Sequence, residues 1–264
     1  MRKVRVLIIG AGFGGLLAGI KLRESGEHDF VILEKDDGVG GTWWANSYPG
    51  CACDVQSHLY SYSFEPNPYW NYMFGRQEEI RDYLARCVEH HGLTGHIRLS
   101  TEVGSARWEA SENRWIVTTE NGETWSAEVL LTATGGLSRP GYPDIEGIDR
   151  FGGMTCHSAG WDHHFDLQGK RVGVIGTGAS AIQIVPAIAP NVGELFLYQR
   201  TPPWILPRPD RKVSRLEKWL FRRLPFTQKI MRWLLYWRLE GRATAFVVFP
   251  RLARGVEWLG RWNI

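Results

Sequence analysis

Val4-Arg5-Val6-Leu7-Ile8-Ile9-Gly10-Ala11-Gly12-Phe13-Gly14-Gly15 decides the fold class of this 264-residue chain. Its first six residues are apolar and rich in β-branched side chains, apart from Arg5. That is the composition of a parallel strand covered on both faces. The strand runs straight into a glycine turn of the form GxGxxG. A helix is predicted over residues 16–25, with Leu16, Ile20 and the small Ala18 and Gly19 along it and Gly26 as its stop. Phe30-Val31-Ile32-Leu33 reads as a second strand, and it ends at Glu34. Each part has a chemical purpose. Gly10 makes the tight turn, Gly12 admits a pyrophosphate close to the backbone, and Gly15 lets helix and strand pack closely. The helix N-terminus offers unpaired N–H donors to the phosphates. A carboxylate at the position of Glu34 takes ribose hydroxyls and repels a 2′-phosphate. The order of strand, glycine turn, helix, strand and acid therefore predicts an α/β dinucleotide-binding domain.

The pattern recurs. Lys170-Arg171-Val172-Gly173-Val174-Ile175 is a second buried strand, leading into Gly176-Thr177-Gly178-Ala179-Ser180-Ala181, the GxGxxA form of the turn. A helix follows through Ile182, Ile184, Val185 and Ile188 and ends near Pro190. The next strand, Leu195-Phe196-Leu197-Tyr198-Gln199, closes on Arg200 and Thr201. Arginine in place of the acid can pair bidentately with a 2′-phosphate, which favours NADPH over NADH at this second site. The bland alternative is a surface arginine.

Between the two turns, residues 76–91 read as a helix with Ile80, Tyr83, Leu84 and Val88 on one face. Residues 97–103 alternate as a strand. Two further runs, 114–119 and 124–127, flank Asn121-Gly122, a hairpin signal. Val129-Leu130-Leu131-Thr132-Ala133-Thr134-Gly135 reads as a buried strand returning to the first sheet. The segment Gly40-Gly41-Thr42-Trp43, then Tyr48-Pro49-Gly50 and Asp54, is a polar and aromatic loop longer than a simple dehydrogenase keeps. A Trp-rich core loop would carry the same residues.

Composition excludes several classes. Hydrophobic and charged fractions of 44% and 22% are ordinary for a globular chain. No apolar run reaches the roughly 18 residues of a membrane span. The first strand pattern begins too early for a signal peptide. The four cysteines, Cys51, Cys53, Cys87 and Cys156, form neither a disulfide framework nor a CxxC pair, so a reducing, cytoplasmic setting is expected. His163 and His164 are badly spaced for a metal pair on a helix, and no metal site is expected. The net charge of +3 is uneven: residues 211–264 carry 13 Lys/Arg against 3 Asp/Glu, a balance of +10. That segment has one apolar stripe at Leu216, Trp219, Leu220 and Leu224 and another at Ile230, Trp233, Leu234 and Trp237, divided by Pro225. An insert packed on the second nucleotide domain is favoured. Weak membrane-surface contact stays open. Nucleic-acid binding is not expected, for want of any recognised module.

The run Phe151-Gly152-Gly153-Met154-Thr155-Cys156-His157-Ser158-Ala159-Gly160-Trp161-Asp162 resembles the fingerprint of Baeyer–Villiger monooxygenases, FxGxxxHxxxW followed by P or D. Gly41-x-Trp43, with Tyr48-Pro49-Gly50 and Asp54, resembles the family's second motif. The resemblance implies two Rossmann-like domains, one for FAD and one for NADP, with the second apparently truncated. The implied boundaries are an FAD domain with an inserted β-hairpin at 1–140, a linker carrying the fingerprint at 141–168, and a partial NADP domain at 169–264. It further implies an NADPH-dependent flavoprotein that uses dioxygen to place one oxygen atom beside a ketone or aldehyde carbonyl, giving an ester or lactone.

By the same resemblance FAD would lie along Gly10, Gly12, Gly14, Gly15, Glu34, Gly41, Thr42, Trp43, Asp54, Tyr60, Val103 and Ala133. NADPH would lie along Gly176, Gly178, Ala179, Ser180, Arg200 and Thr201. Asp54 is the catalytic candidate. Phe151, Gly153, His157, Trp161 and Asp162 would form the fingerprint linker, in which His157 would couple NADPH binding to domain movement rather than act as an acid or base. Family chains continue well past this length, and they supply from there an arginine that partners the acid. No counterpart of its Lys-Arg signature follows the second glycine turn, so Asp54 is expected to lack that partner. The chain is accordingly expected to be a weak or inactive oxygenase by itself. An N- or S-oxygenating flavin monooxygenase and a non-catalytic nucleotide-binding or membrane-surface remnant remain as alternatives.

Overall fold

The computed structural model describes residues 1–137, 139–201, 203 and 208–247, the side chains of 242–247 excepted. Residues 248–264 of the basic segment lie outside the described residues. The elements in chain order are β1 (Arg2–Ile9), α1 (Phe13–Glu24), β2 (Phe30–Leu33), α2 (Thr42–Ala45), α3 (Gln77–His90), β3 (Ile97–Arg98), β4 (Val103–Glu109), β5 (Arg114–Thr119), β6 (Thr124–Thr132), β7 (Arg171–Ile175), α4 (Ala179–Ile188), β8 (Glu194–Tyr198), α5 (Arg215–Arg223) and α6 (Pro225–Val247). The chain divides into two compact units. Met1–Tyr48 joins Gln77–His164 in the first, and Pro49–Arg76 joins the described residues from Phe165 onward in the second.

The first unit is built on a six-stranded sheet of order β3-β2-β1-β6-β5-β4. β1 runs parallel to β2, with Leu7 opposite Val31, and parallel to β6, with Leu7 opposite Leu130. Leu7, Ile8, Leu16, Ile20 and Ile32 are fully buried. Each contributes roughly 1.5–3 kcal/mol by leaving water, which is why this βαβ pattern holds the amino-terminal half. Leu7, Val31, Leu33, Val117, Trp125 and Ala127 form its core. α3 buries Ile80, Tyr83, Leu84, Cys87 and Val88, the face its periodicity predicts.

Two strand readings are corrected. The strand expected over 97–103 breaks after Arg98, because Ser100 adopts a left-handed φ of 50° and turns the chain into β4. The strands expected at 124–127 and 129–135 are one, β6, whose beginning pairs antiparallel with β5 while its length runs parallel to β1. The Asn121-Gly122 turn between β5 and β6 forms as expected, with Gly122 at φ 84°.

In the second unit β7 and β8 are parallel, Arg171 opposite Glu194 and Ile175 opposite Tyr198, with α4 joining them. Residues 49–76 are irregular, and later parts of the chain hold them. Tyr72 bridges to Lys212, Val213 N–H donates to Asn71 O, and Arg76 Nη2 pairs with Asp210 Oδ2 at 2.9 Å. Ser214 and Glu217 close a capping box on α5, and Pro225 opens α6, where its missing N–H costs nothing. The apolar stripes expected to pack here are instead exposed: Leu216, Trp219, Ile230, Trp233, Leu234 and Trp237 are each more than half exposed. Among the described side chains of α5 and α6 the buried ones are Phe221, Gln228 and Leu235. The reason is that α6 docks by a polar seam, in which Gln228 and Arg232 bond to residues 58–67. No described helix is long and apolar enough to cross a membrane.

Candidate functional site

In the first unit the carboxyl ends of β1, β2 and β6 come together around the first glycine turn. Gly10 N–H donates to Leu33 O at 2.8 Å, and Ala133 N–H donates to Ile9 O at 2.8 Å. A Cβ on Gly15 would stand 1.8 Å from Gly10 O, so only glycine allows α1 to start this close to β1. The 40–41 turn lies over it: Gly40 N–H donates to Ala11 O at 3.0 Å, and the Gly41 backbone lies against Gly12. Gly14 stands near Ala133. Thr42 begins the one-turn α2, and Trp43 is buried, its carbonyl accepting from Gln77 Nε2. Val103, half-buried at the start of β4, packs against the Leu7, Val31 and Leu33 core. The region outside the carboxyl ends of parallel strands is where open α/β sheets take ligands.

Glu34 is 4% exposed at the end of β2. Its Oε2 accepts from Ala11 N–H at 2.6 Å and its Oε1 from Asp36 N–H at 3.1 Å. The acid is thereby held beside the glycine turn. A carboxylate has about four acceptor sites, so sites remain for ribose hydroxyls.

Asp54 and Tyr60 belong to the second unit. Tyr60 is half-buried, with its N–H on Gln56 O at 2.9 Å. Asp54 is exposed, and its Oδ1 is met by Gln183 Nε2 at 3.1 Å and by Arg208 Nη1 at 3.4 Å. Arg208 therefore pairs with Asp54 within this chain, whereas the expectation concerned the family's own arginine, supplied from further along, on which this ion pair does not bear. The pairing escapes a sequence reading because Arg208 lies in a proline-rich stretch, far from Asp54, with no spacing to link them. Gln183 was missed likewise. Burial pushes the neighbouring Cys53 thiol up to about 11, so Cys53 stays protonated near neutrality.

The second glycine turn sits at the end of β7. Gly176 has φ 105° and its N–H donates to Tyr198 O at 2.9 Å. Gly178 precedes α4, whose first turn holds Ala179 and Ser180. Thr177 Oγ1 donates to Thr201 O at 3.4 Å, which brings the exposed Arg200 and Thr201 to the turn. The fingerprint residues lie in the first unit, in a loop carrying only two one-turn 3-10 helices, Ile148–Arg150 and Ser158–Gly160. Phe151 is exposed and its ring lies over Gly153. His157 Nδ1 accepts from Ala159 N–H at 3.0 Å and its ring meets Tyr142 edge-on. Trp161 is half-buried, and Asp162 Oδ1 accepts from His164 N–H at 2.8 Å.

A family model described as flavin-binding monooxygenase-like matches residues 3–239. A Baeyer–Villiger monooxygenase of Pseudomonas aeruginosa is 53% identical over 98% of this chain and 49% of its own length. One of Streptomyces coelicolor is 51% identical over 99% of this chain and 50% of its own. Among solved structures, cyclohexanone monooxygenase from Rhodococcus sp. Phi1 bound to NADP+ is similar with a TM-score of 0.78 and 40% identity, over 83% of this chain and 42% of that one. An ε-caprolactone-bound cyclohexanone monooxygenase gives a TM-score of 0.79 at 38% identity, over 84% of this chain and 44% of that one. The chain thus spans about half the length of the curated relatives it matches. With a family match over most of its residues and two glycine turns folded at the ends of parallel strands, this chain belongs to the flavin-binding monooxygenase-like family.

Proposed function

We propose that this chain carries the two dinucleotide sites of a Baeyer–Villiger monooxygenase, FAD at the first glycine turn and NADPH at the second, acting on a ketone or aldehyde in a cytoplasmic setting. The observation that carries the reading is the pair of glycine turns at parallel-strand ends, one followed by the buried acid Glu34 and the other by Arg200. Residues 1–140 would serve FAD and 169–264 NADPH, with 141–168 linking them. Trp161 and Asp162, and relatives solved with cyclohexanone or ε-caprolactone, favour a carbonyl substrate over a soft heteroatom.

The residues fit the cofactors. The first turn has no room for a Cβ at Gly10 or Gly15, its acid is fixed by two backbone N–H groups, and α1 points its N-terminus from this turn, where a pyrophosphate would be held. When bound, the flavin supplies hydride acceptance and dioxygen activation. The chain supplies placement. Glu34 would take ribose hydroxyls, Thr42 and Trp43 would border the isoalloxazine ring, and Arg200 with Thr201 would take the 2′-phosphate. Asp54, held on one oxygen by Gln183 and Arg208, would present its carboxyl group in a fixed orientation as the catalytic acid.

The test is a visible spectrum of the purified chain with FAD, followed by anaerobic NADPH. A yellow protein that bleaches is expected of the intact pair of sites, and any turnover in air should be weak in a chain spanning about half the length of its relatives, and should favour cyclohexanone over a thioether. A chain that retains no flavin would overturn the first assignment. Flavin that is retained but never bleached would overturn the second.

A further inference from the structure

Gln183 stands on α4, four residues into the helix that starts at the second glycine turn, yet its side chain serves residues 52–54. Its Nε2 donates to Ala52 O at 2.9 Å and to Asp54 Oδ1 at 3.1 Å, and its Oε1 accepts from Ala52 N–H at 3.1 Å. One primary amide thus pairs with both backbone groups of a single residue, as the next strand of a sheet would. Gln183 is 8% exposed and Ala52 5%, so water does not compete for these bonds. The approach depends on Gly50. It has φ 80°, and a Cβ there would lie 2.6 Å from Gln183 O and 3.1 Å from Ala187 Cβ. Both conditions require glycine.

We propose that Gln183 is a positioning residue that latches residues 50–54, and Asp54 with them, onto the helix whose N-terminus receives the second dinucleotide. The latch rests on the reading that the Gly176–Gly178 turn takes NADPH. Phosphate held at the start of α4 restrains the helix, and the amide carries that restraint to Ala52 and Asp54. Occupancy of the second glycine turn is thereby felt at Asp54 through a single side chain, with no charge transfer or bond making.

Hydrogen–deuterium exchange of the chain with and without NADP+ tests this, on the wild type, on Gln183→Met, which keeps the length without donor or acceptor, and on Gln183→Glu, which keeps only the acceptor. In the wild type, NADP+ should slow exchange in the peptide containing residues 51–54. Without ligand, Gln183→Met should exchange there about tenfold faster than the wild type. NADP+ should no longer slow it, although calorimetric affinity stays within about threefold. Gln183→Glu should fall between the two, and it serves in place of Gln183→Met if that variant does not fold. Equal exchange in wild type and Gln183→Met, or a ligand response that survives the substitution, would overturn the latch alone. Absence of NADP+ binding to the wild type would overturn the NADPH reading, and the latch with it.

Discussion

Glu34 and Arg200 occupy matching places, each just past the second strand of a glycine-turn unit, and carry opposite charges. On the proposed function this difference separates two nucleotides. A buried carboxylate held by Ala11 and Asp36 rejects a 2′-phosphate by charge repulsion, whereas an exposed guanidinium attracts it. Removing the attraction in Arg200→Ala should weaken NADP+ binding by about tenfold to a hundredfold, the equivalent of a charge-assisted hydrogen bond or two. NAD+ binding should stay within about twofold, and a fluorescence titration of both nucleotides reads the contrast. The places of Glu34 and Arg200 past strand ends were legible in the sequence because they are local: strand, turn, helix, strand, end. Arg208 and Gln183 were not, because what matters about them is a contact with Asp54 made across 154 and 129 residues of chain.

Among the elements, α6 departs furthest from expectation. Its aromatic stripe is exposed, while the face it docks is mixed and polar. Gln228 Nε2 donates to His58 Nδ1 at 3.1 Å and to Asn67 O at 2.8 Å. Arg232 Nη1 donates to the carbonyls of His58, Leu59 and Ser61 at 2.9–3.1 Å. Hydrophobic periodicity alone therefore points to the wrong face of the helix. Arg232→Met should cost about 2 kcal/mol, since three carbonyls lose a charged donor, and denaturant unfolding would report it. His58 adds a pH dependence. Burial pushes it down to about 4, with Glu217 opposing that shift and Arg211 adding to it. The folded state therefore prefers the neutral ring. Stability should be fully present above about pH 6.5 and fall toward pH 4 by about 3 kcal/mol. His58→Gln should flatten that slope in unfolding curves collected between pH 4 and 7.

At the scale of the whole molecule, the charge is uneven and the apolar surface is concentrated. Trp219, Phe226, Ile230, Trp233 and Trp237 are all more than half exposed, in the same segment that carries the excess of basic charge. Contiguous apolar surface of this kind binds hydrophobic dyes and promotes association. The double variant Trp233→Gln, Trp237→Gln should lower dye fluorescence and concentration-dependent scattering. Each change should move stability by no more than about 0.5 kcal/mol, because neither ring is buried. The doubly wound pattern and both glycine turns were readable from short windows. The association of residues 49–76 with the second unit was not, because it depends on bridges such as Tyr72 to Lys212 and on ion pairs such as Arg76 to Asp210.

One strand also sets the order of events in time. β6 pairs along nearly the whole of β1, Arg2 opposite Trp125 and Ile9 opposite Thr132, so the two partners are separated by about 120 residues of chain. During synthesis β1 and β2 can meet early, but the other edge of β1 must wait for β6. At ribosomal speeds of about 5–20 residues per second the wait is roughly 6–25 seconds. Throughout that interval an apolar strand edge of the nascent protein is open, and a chaperone that shields the amino-terminal segment should raise the yield of folded chain more than one added after release.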